Sequence, residues 1–328
     1  MRAIRVEAPG GPEQLSLVEL PKPEPGPGQA LVAVEAAGVN FIDVYHREGV
    51  YPGTYPRVLG QEGAGSVLSL GPGVEGLSPG DRVAWAKGSA GSYASRTLVD
   101  AGSLVAVPEG LSSELAAASM LQGLTALVLV EEVFPVREGQ DVLVHAGAGG
   151  VGLLLTQLAA ARGARVITTV SSEAKADLSR AAGASEVIRY DQLADLPAEL
   201  PEIVRGLTGG AGVHTVFDGV GRTSFDASLA SLRRRGGLAL FGAASGQVPP
   251  VDPQRLNSAG SVYLTRPMLF HFIEERSELL RLAGELFDLV LDGTLRVEVS
   301  ARFPLEEAAE AHRALEGRRT TGKVLLVP

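Results

Sequence analysis

The chain has no cysteine among its 328 residues, which excludes disulfides, thiolate zinc sites, iron–sulfur clusters and a cysteine nucleophile together. Histidine is scarce: His46, His145, His214, His271 and His312 lie far apart, without His-x-x-x-His spacing, so none is supported as a metal ligand or proton relay. No Gly-x-Ser-x-Gly elbow marks a nucleophilic serine, and a hydrolase reading is rejected. Basic residues are in deficit, 29 Lys and Arg against 38 Asp and Glu for a net charge of -9. That charge repels a phosphate backbone, and the short cluster Arg233-Arg234-Arg235 does not reverse it, so no nucleic-acid partner is expected. Long hydrophobic runs are also missing. Stretches such as 124–130 fall well short of the roughly 18 residues a membrane span needs. The N-terminus, Met1-Arg2-Ala3-Ile4-Arg5-Val6-Glu7, reads as a short strand and shows no apolar signal segment. We expect a cytoplasmic chain with no membrane insertion.

What is present suffices for two domains, because 45% of the residues are hydrophobic and the 41 glycines and 20 prolines follow no fixed repeat. Up to about residue 110, β-rich runs at 30–37, 64–70 and 93–99 alternate with turn clusters at 21–28, 71–73 and 78–81, the texture of a compact β barrel. Ser112-Ser113-Glu114 then caps an Ala- and Leu-rich helix reaching about residue 132. Beyond it, strands at 142–146, 165–170, 186–190, 213–218 and 237–241 alternate with helices at 150–161, 173–182, 201–207 and 223–233. Regular alternation predicts a parallel sheet with helices on both faces, an α/β domain over residues 112–261. After about residue 260 the alternation stops, leaving a strand at 261–264, an amphipathic helix at 274–291, and a last helix and strand.

The sharpest local signal is the apolar strand 142–146 running into Gly147-Ala148-Gly149-Gly150-Val151-Gly152 and an apolar helix. The Gly-x-Gly-x-x-Gly spacing is weak alone, but a strand before it, a helix after it and a second strand near Arg165 supply the context of a Rossmann dinucleotide site. Glycine lets the backbone turn tightly and approach a pyrophosphate, whose charge faces the N–H groups at the helix start. The plain alternative is a tight turn packing a helix on a sheet. About 20 residues on, where an NAD site carries an acid for the ribose hydroxyls, the sequence reads Thr169-Val170-Ser171-Ser172-Glu173-Ala174-Lys175. Two hydroxyls and a cation in that place favour the 2'-phosphate of NADPH. The alternative makes Ser171 or Ser172 a helix cap and Lys175 a solvated side chain.

Four further segments carry a resemblance: Gly38-Val39-Asn40-Phe41-Ile42-Asp43, Leu59-Gly60-Gln61-Glu62-Gly63-Ala64-Gly65, Gln122-Gly123-Leu124-Thr125, and Ser261-Val262-Tyr263-Leu264-Thr265-Arg266-Pro267. With the nucleotide motif and the tail Gly317-Arg318-Arg319-Thr320-Thr321-Gly322, they span essentially the whole chain, which resembles zinc-free quinone oxidoreductases of the zeta-crystallin type in the medium-chain dehydrogenase/reductase family. The resemblance implies a GroES-like β-barrel catalytic domain, residues 1–111 and 262–328, plus the Rossmann domain at 112–261, with the cofactor in the cleft between them and a homodimer formed through the Rossmann sheets. Zinc-dependent relatives carry a Gly-His-Glu motif where Gly60-Gln61-Glu62 stands, so the family's zinc site cannot be rebuilt here. Without a Lewis acid, an activated acceptor such as a quinone or conjugated enone becomes the natural substrate.

The same resemblance places Asn40 and Tyr45 beside the nicotinamide and acceptor, with Gln61 where a zinc ligand would stand; these three would donate hydrogen bonds to a developing phenolate. It sets Thr125 by the nicotinamide, Tyr190 by the 2'-phosphate or adenine, Phe241, Gly242 and Ala243 along the nicotinamide ribose, and Arg318 near the phosphates. Gly219 lies in a glycine-rich turn, Asp218-Gly219-Val220-Gly221, at a strand's carboxyl end, where open α/β sheets bind ligands. Each has a structural alternative: Asn40 as a helix cap, Tyr45 as a surface ring, Gln61 as a buried amide, Thr125 as a helical threonine bonded to its own backbone. Tyr190 and Phe241 would then be strand-end packing and Arg318 solvated surface. Two other functions remain open: an NADPH-dependent alkenal or enoyl-thioester reductase on the same scaffold, and a nucleotide-sensing binding protein.

Overall fold

Residues 142–144 are apolar without interruption and fully buried, as a strand covered on both faces of a parallel sheet must be. In the computed structural model, which describes all 328 residues, they belong to strand Asp141–Val144 at the centre of a six-stranded sheet. The order across it is Glu186–Arg189, Arg165–Val170, Asp141–Val144, Val213–Asp218, Leu232–Leu240 and Tyr263–Thr265, every pair parallel. That is the Rossmann order, with the chain reversing direction across the sheet between its first and fourth strands. Leu143, Ile167, Val216, Phe225 and Leu238 form its core with Leu200 and Val204 of the helix Leu196–Leu207.

A seven-stranded sheet builds the other unit, in the order Val299–Pro304, Lys323–Val327, Gln29–Val39, Glu62–Leu70, Arg82–Trp85 and Val105–Ala106, with Arg96–Asp100 also pairing Gln29–Val39. A smaller sheet of Leu15–Glu19, Arg2–Val6 and Arg57–Val58 packs with it around Trp85, Tyr93, Leu59 and Leu326. The last strand runs antiparallel to Gln29–Val39, with Leu326 opposite Ala37 and Val324 opposite Val39. The C-terminal tail therefore completes the N-terminal barrel.

The two units comprise Met1–Leu124 with Phe272–Pro328, and Thr125–His271. These boundaries differ from the expected 111/112 and 261/262. The helix Ser113–Val128 spends its first turns on the barrel, where the N–H of Leu121 bonds Glu62 Oε2 at 2.6 Å. At the other end, Tyr263–Thr265 pairs with Leu232–Leu240 and keeps that segment in the Rossmann sheet.

Three local expectations are also corrected. The helix expected at 201–207 begins at Leu196, because Asp195 caps it through Ala198 N at 3.2 Å, and Pro201 is accommodated inside it. The helix expected at 223–233 is only Phe225–Ser231, and the next strand starts at once with Leu232. Finally, Ser113–Val133 forms one helical run of 21 residues with mean hydropathy 1.5 in its most apolar window, long and apolar enough for a membrane span, contrary to the short runs seen in sequence; 67% of that window is buried inside the fold, as in a core helix.

Candidate active site and cofactor site

Every residue expected at the nucleotide site of the Rossmann unit beyond Thr125 follows the carboxyl end of a parallel strand. Gly147–Gly152 follow Val144, Ser171 and Ser172 follow Val170, Tyr190 follows Arg189, Gly219 follows Asp218, and Phe241–Ala243 follow Leu240. Since the strands are parallel, all these loops open on one edge of the sheet, the ligand edge of such folds. Thr125 stands half-buried in the helix that opens this unit.

Within the glycine loop the work is divided. A Cβ on Gly147 would lie 2.6 Å from Thr168 Cβ, and one on Gly152 would lie 2.2 Å from the carbonyl oxygen of Ala146. Both glycines are buried and serve close packing. The left-handed residue at the turn is Ala146, φ 53°, a position sequence reading missed because it credited the turn to glycine. Gly149, Gly150 and Val151 are half-buried at the start of helix Gly150–Ala161. First-turn N–H groups have no partner within a helix, so this end suits a pyrophosphate.

At the next loop Ser172 caps helix Glu173–Ala181, and Lys175 Nζ approaches Ser171 Oγ at 3.4 Å. The cap leaves the Lys175 ammonium beside the Ser171 hydroxyl. Glu173, an exposed carboxylate in the same turn, is taken by Arg180 at 2.9 Å and Arg189 at 3.1 Å, and these bonds hold its pKa below the usual range. Arg189 had escaped the sequence reading; only its place one residue before Tyr190 hinted at it. Gly219 and Phe241 meet at the ends of neighbouring strands, where a Cβ on Gly219 would touch the Phe241 ring at 2.8 Å and Ala244 N bonds Gly219 O at 3.2 Å. The donors, the glycine cradle and the absence of an uncommitted carboxylate after Val170 fit NADPH.

In the barrel unit, Asn40 caps helix Phe41–Glu48, and its N–H bonds Asp43 Oδ2 at 2.9 Å. Its side chain is buried in a polar knot. Lys323 can only donate, so the Asn40 atom it faces at 2.9 Å is Oδ1, which Gln122 Nε2 also reaches at 3.2 Å. Asn40 Nδ2 therefore points to Glu62 Oε1 at 2.6 Å and to the Gly38 carbonyl at 3.5 Å. This amide is committed inside the fold, which corrects the expectation that it donates to an acceptor. Glu62 is paired in turn with Lys323, both side chains being sealed from solvent.

A second array adjoins the first. Arg47 can only donate, so its contact with His312 Nδ1 at 3.1 Å makes Nδ1 an acceptor and leaves the proton on Nε2, which faces Tyr93 Oη at 3.2 Å. The Tyr93 hydroxyl then donates to Asp43 Oδ2 at 3.1 Å. Burial lowers His312 to about 3, with Arg47 adding to the effect. Burial raises Asp43 to about 7, opposed by the Asn40 N–H and the Tyr93 hydroxyl. No three His, Asp or Glu side chains come together as metal ligands. Tyr45 is half-buried, its ring edge-on to Tyr51 at 5.3 Å and tilted to Phe41 at 6.3 Å. Gln61 is 8% exposed and follows Gly60, whose φ of 98° and close approach to Tyr93 admit only glycine. Arg318 is exposed on the barrel unit, with φ 55°.

A GroES-like barrel with a Rossmann sheet defines the medium-chain dehydrogenase/reductase class. Residues 26–109 match the family described as alcohol dehydrogenase GroES-like domain, and residues 150–285 match zinc-binding dehydrogenase. The chain is 43% identical to the quinone oxidoreductase of Salmonella typhimurium, over 97% of each protein. It is 53% identical to the mycobacterial protein Rv1454c solved in complex with NADPH, with a TM-score of 0.97 over the whole of both chains. A 2-haloacrylate reductase of Burkholderia is 39% identical over 99% of this chain and 98% of its own length. The chain belongs to the quinone oxidoreductase family of medium-chain dehydrogenases/reductases.

Proposed function

We propose that this protein is a cytoplasmic NADPH-dependent quinone oxidoreductase that reduces a quinone or similarly activated acceptor without zinc. The observation that carries the cofactor assignment is the loop after Val170, where Ser171 and Lys175 converge and the carboxylate of the same turn, Glu173, is bound by two arginines. Bound NADPH supplies a hydride. The chain's own residues do the rest: Gly149, Gly150 and Val151 present N–H groups to the pyrophosphate, and Ser171, Ser172 and Lys175 receive the 2'-phosphate beside Tyr190. Thr125, Gly219, Phe241, Gly242 and Ala243 border the nicotinamide ribose.

On the barrel, Tyr45 and Gln61 hydrogen-bond the acceptor oxygen as negative charge develops there, and solvent delivers the completing proton. Asn40 acts on the acceptor region through the knot that fixes the start of its helix. The resemblance to a 2-haloacrylate reductase supports a second reading, reduction of an electron-poor alkene.

The test is loss of nicotinamide absorbance when purified protein is mixed with NADPH or NADH and 1,4-benzoquinone, 9,10-phenanthrenequinone, 2-chloroacrylate or crotonyl-CoA, with and without chelator. Chelator-resistant oxidation of NADPH by a quinone is expected. Turnover of the alkenes alone would select the second reading, and no turnover with any acceptor would leave a nucleotide-sensing binding protein.

A further inference from the structure

Four buried side chains beneath the ligand edge of the Rossmann sheet form one hydrogen-bonded chain that the proposed reaction does not use. His145, one residue past the first strand, is 3% exposed; Thr169 of the second strand is 1%; Asp218, ending the fourth, and Ser228 of the following helix are each 0%. Thr169 Oγ1 lies 2.9 Å from His145 Nδ1, His145 Nε2 lies 2.9 Å from Ser228 Oγ, and Ser228 Oγ lies 2.7 Å from Asp218 Oδ2.

The direction of this chain follows from the donors available. Asp218 is an acceptor on every side, taking the N–H groups of Val220 at 2.8 Å and Gly221 at 3.0 Å as well as the hydroxyl of Ser224. Ser228 has one proton, which goes to Asp218, so it must accept from His145 Nε2–H. Nδ1 is then the acceptor of the Thr169 hydroxyl. The ring is neutral and held in one tautomer. Burial lowers the pKa of His145, opposed by Asp218, which keeps it so.

We propose that His145 is the positioning residue that locks three cofactor-facing loops into one rigid rim; the inference rests on the NADPH reading above. The ring immediately precedes Ala146 and the glycine loop. Its Nδ1 partner, Thr169, also accepts the N–H of Gly147 through its carbonyl at 3.0 Å and leads two residues later to Ser171. Through Ser228 it reaches Asp218, which holds the turn Gly219-Val220-Gly221 by two backbone N–H groups. One imidazole thus joins the pyrophosphate loop, the 2'-phosphate loop and the turn of the fourth strand. An apolar side chain of similar size would leave the Thr169 and Ser228 hydroxyls without their shared partner and free the loops to move. The consequence falls on cofactor affinity, because ordering those loops becomes a cost of binding.

The experiment uses the full chain and measures NADPH dissociation by fluorescence titration, kcat and KM with a quinone, and the thermal midpoint. His145→Leu should weaken NADPH binding about tenfold, with kcat within about twofold, since two buried hydrogen bonds are lost from the binding-competent state. His145→Gln should recover affinity to within about threefold, because one amide supplies both the donor and the acceptor. Should His145→Leu fail to fold, Thr169→Val and Ser228→Ala each remove one link and should weaken binding about threefold. Unchanged NADPH affinity in these variants, with a lowered thermal midpoint, would reduce the chain to core packing and overturn the proposal. A Gln variant as weak as the Leu variant would overturn it too, since ring shape rather than the hydrogen bonds would then matter. Failure of the native chain to bind NADPH would instead remove the functional reading on which the proposal stands.

Discussion

Lys323 and Glu62 form an ion pair with 1% and 0% of their side chains exposed, between the strand Lys323–Val327 and the barrel strand that starts at Glu62. Such a pair stabilises little by itself, because both charges have left water, but removing one partner strands the other. Lys323→Met should therefore lower stability by about 3–5 kcal/mol. Lys323→Met combined with Glu62→Gln should regain most of that loss, because no unpaired charge is then left buried. Calorimetry of the two variants decides it, and a double variant no better than the single one would refute the account.

Lys175→Ala should raise KM for NADPH about tenfold or more, the size of a charge-assisted hydrogen bond, while leaving KM for NADH nearly unchanged. Equal effects on both cofactors would remove Lys175 from the 2'-phosphate site.

Arg189 sits with its guanidinium on Glu173 and Asp191. Arg189→Ala takes from the Glu173 carboxylate one of its two arginines and leaves it less neutralised beside an incoming phosphate, so KM for NADPH should rise about threefold at low salt and the effect should fade as salt screens it. Arg189→Ala with Glu173→Ala should return KM to the native value. A KM insensitive to all of these would show the ion pair to be irrelevant to cofactor choice.

Asp43, raised from 3.8 to about 7 by burial, binds its proton more tightly folded than unfolded. Its contribution to stability is complete below the unfolded pKa and is lost as pH rises through about 7. Asp43→Asn stays neutral throughout. The difference in thermal midpoint between native protein and Asp43→Asn should narrow between pH 4 and pH 8, and a constant difference would contradict the buried-acid account.

Tyr263 is 58% exposed on the edge strand Tyr263–Thr265, which pairs on one side only. An open apolar edge is a pairing surface, and we expect a homodimer joined there. Sedimentation should give twice the chain mass, and Tyr263→Lys, which sets a charge on that exposed edge, should shift it toward one chain mass.

Much of the fold was legible because periodicity is local. The strand and helix alternation from Asp141 to Leu240 and the glycine spacing at 147, 149 and 152 can be read within short windows. The loops in which nucleotide-site residues are expected are equally local, since each follows its strand directly. The buried networks did not. Asn40 meets Lys323 across 283 positions and Arg47 meets His312 across 265, pairings that no sequence window contains. His145 looked like one more strand residue, and Ser228 like one more helical one, until the fold brought their polar atoms within 2.9 Å.

The tail strand Lys323–Val327 lies between Val299–Pro304 and Gln29–Val39 in the barrel sheet. On the ribosome this orders events against the direction of synthesis. The Rossmann unit, contiguous from Thr125 to His271, has all its strands once its own stretch has emerged. The barrel begins first yet waits for the strand Lys323–Val327, and until Lys323 arrives the Glu62 carboxylate lacks the counter-charge it has in the fold. The barrel unit can thus close only after Lys323–Val327 has emerged, when the Rossmann unit is already able to fold.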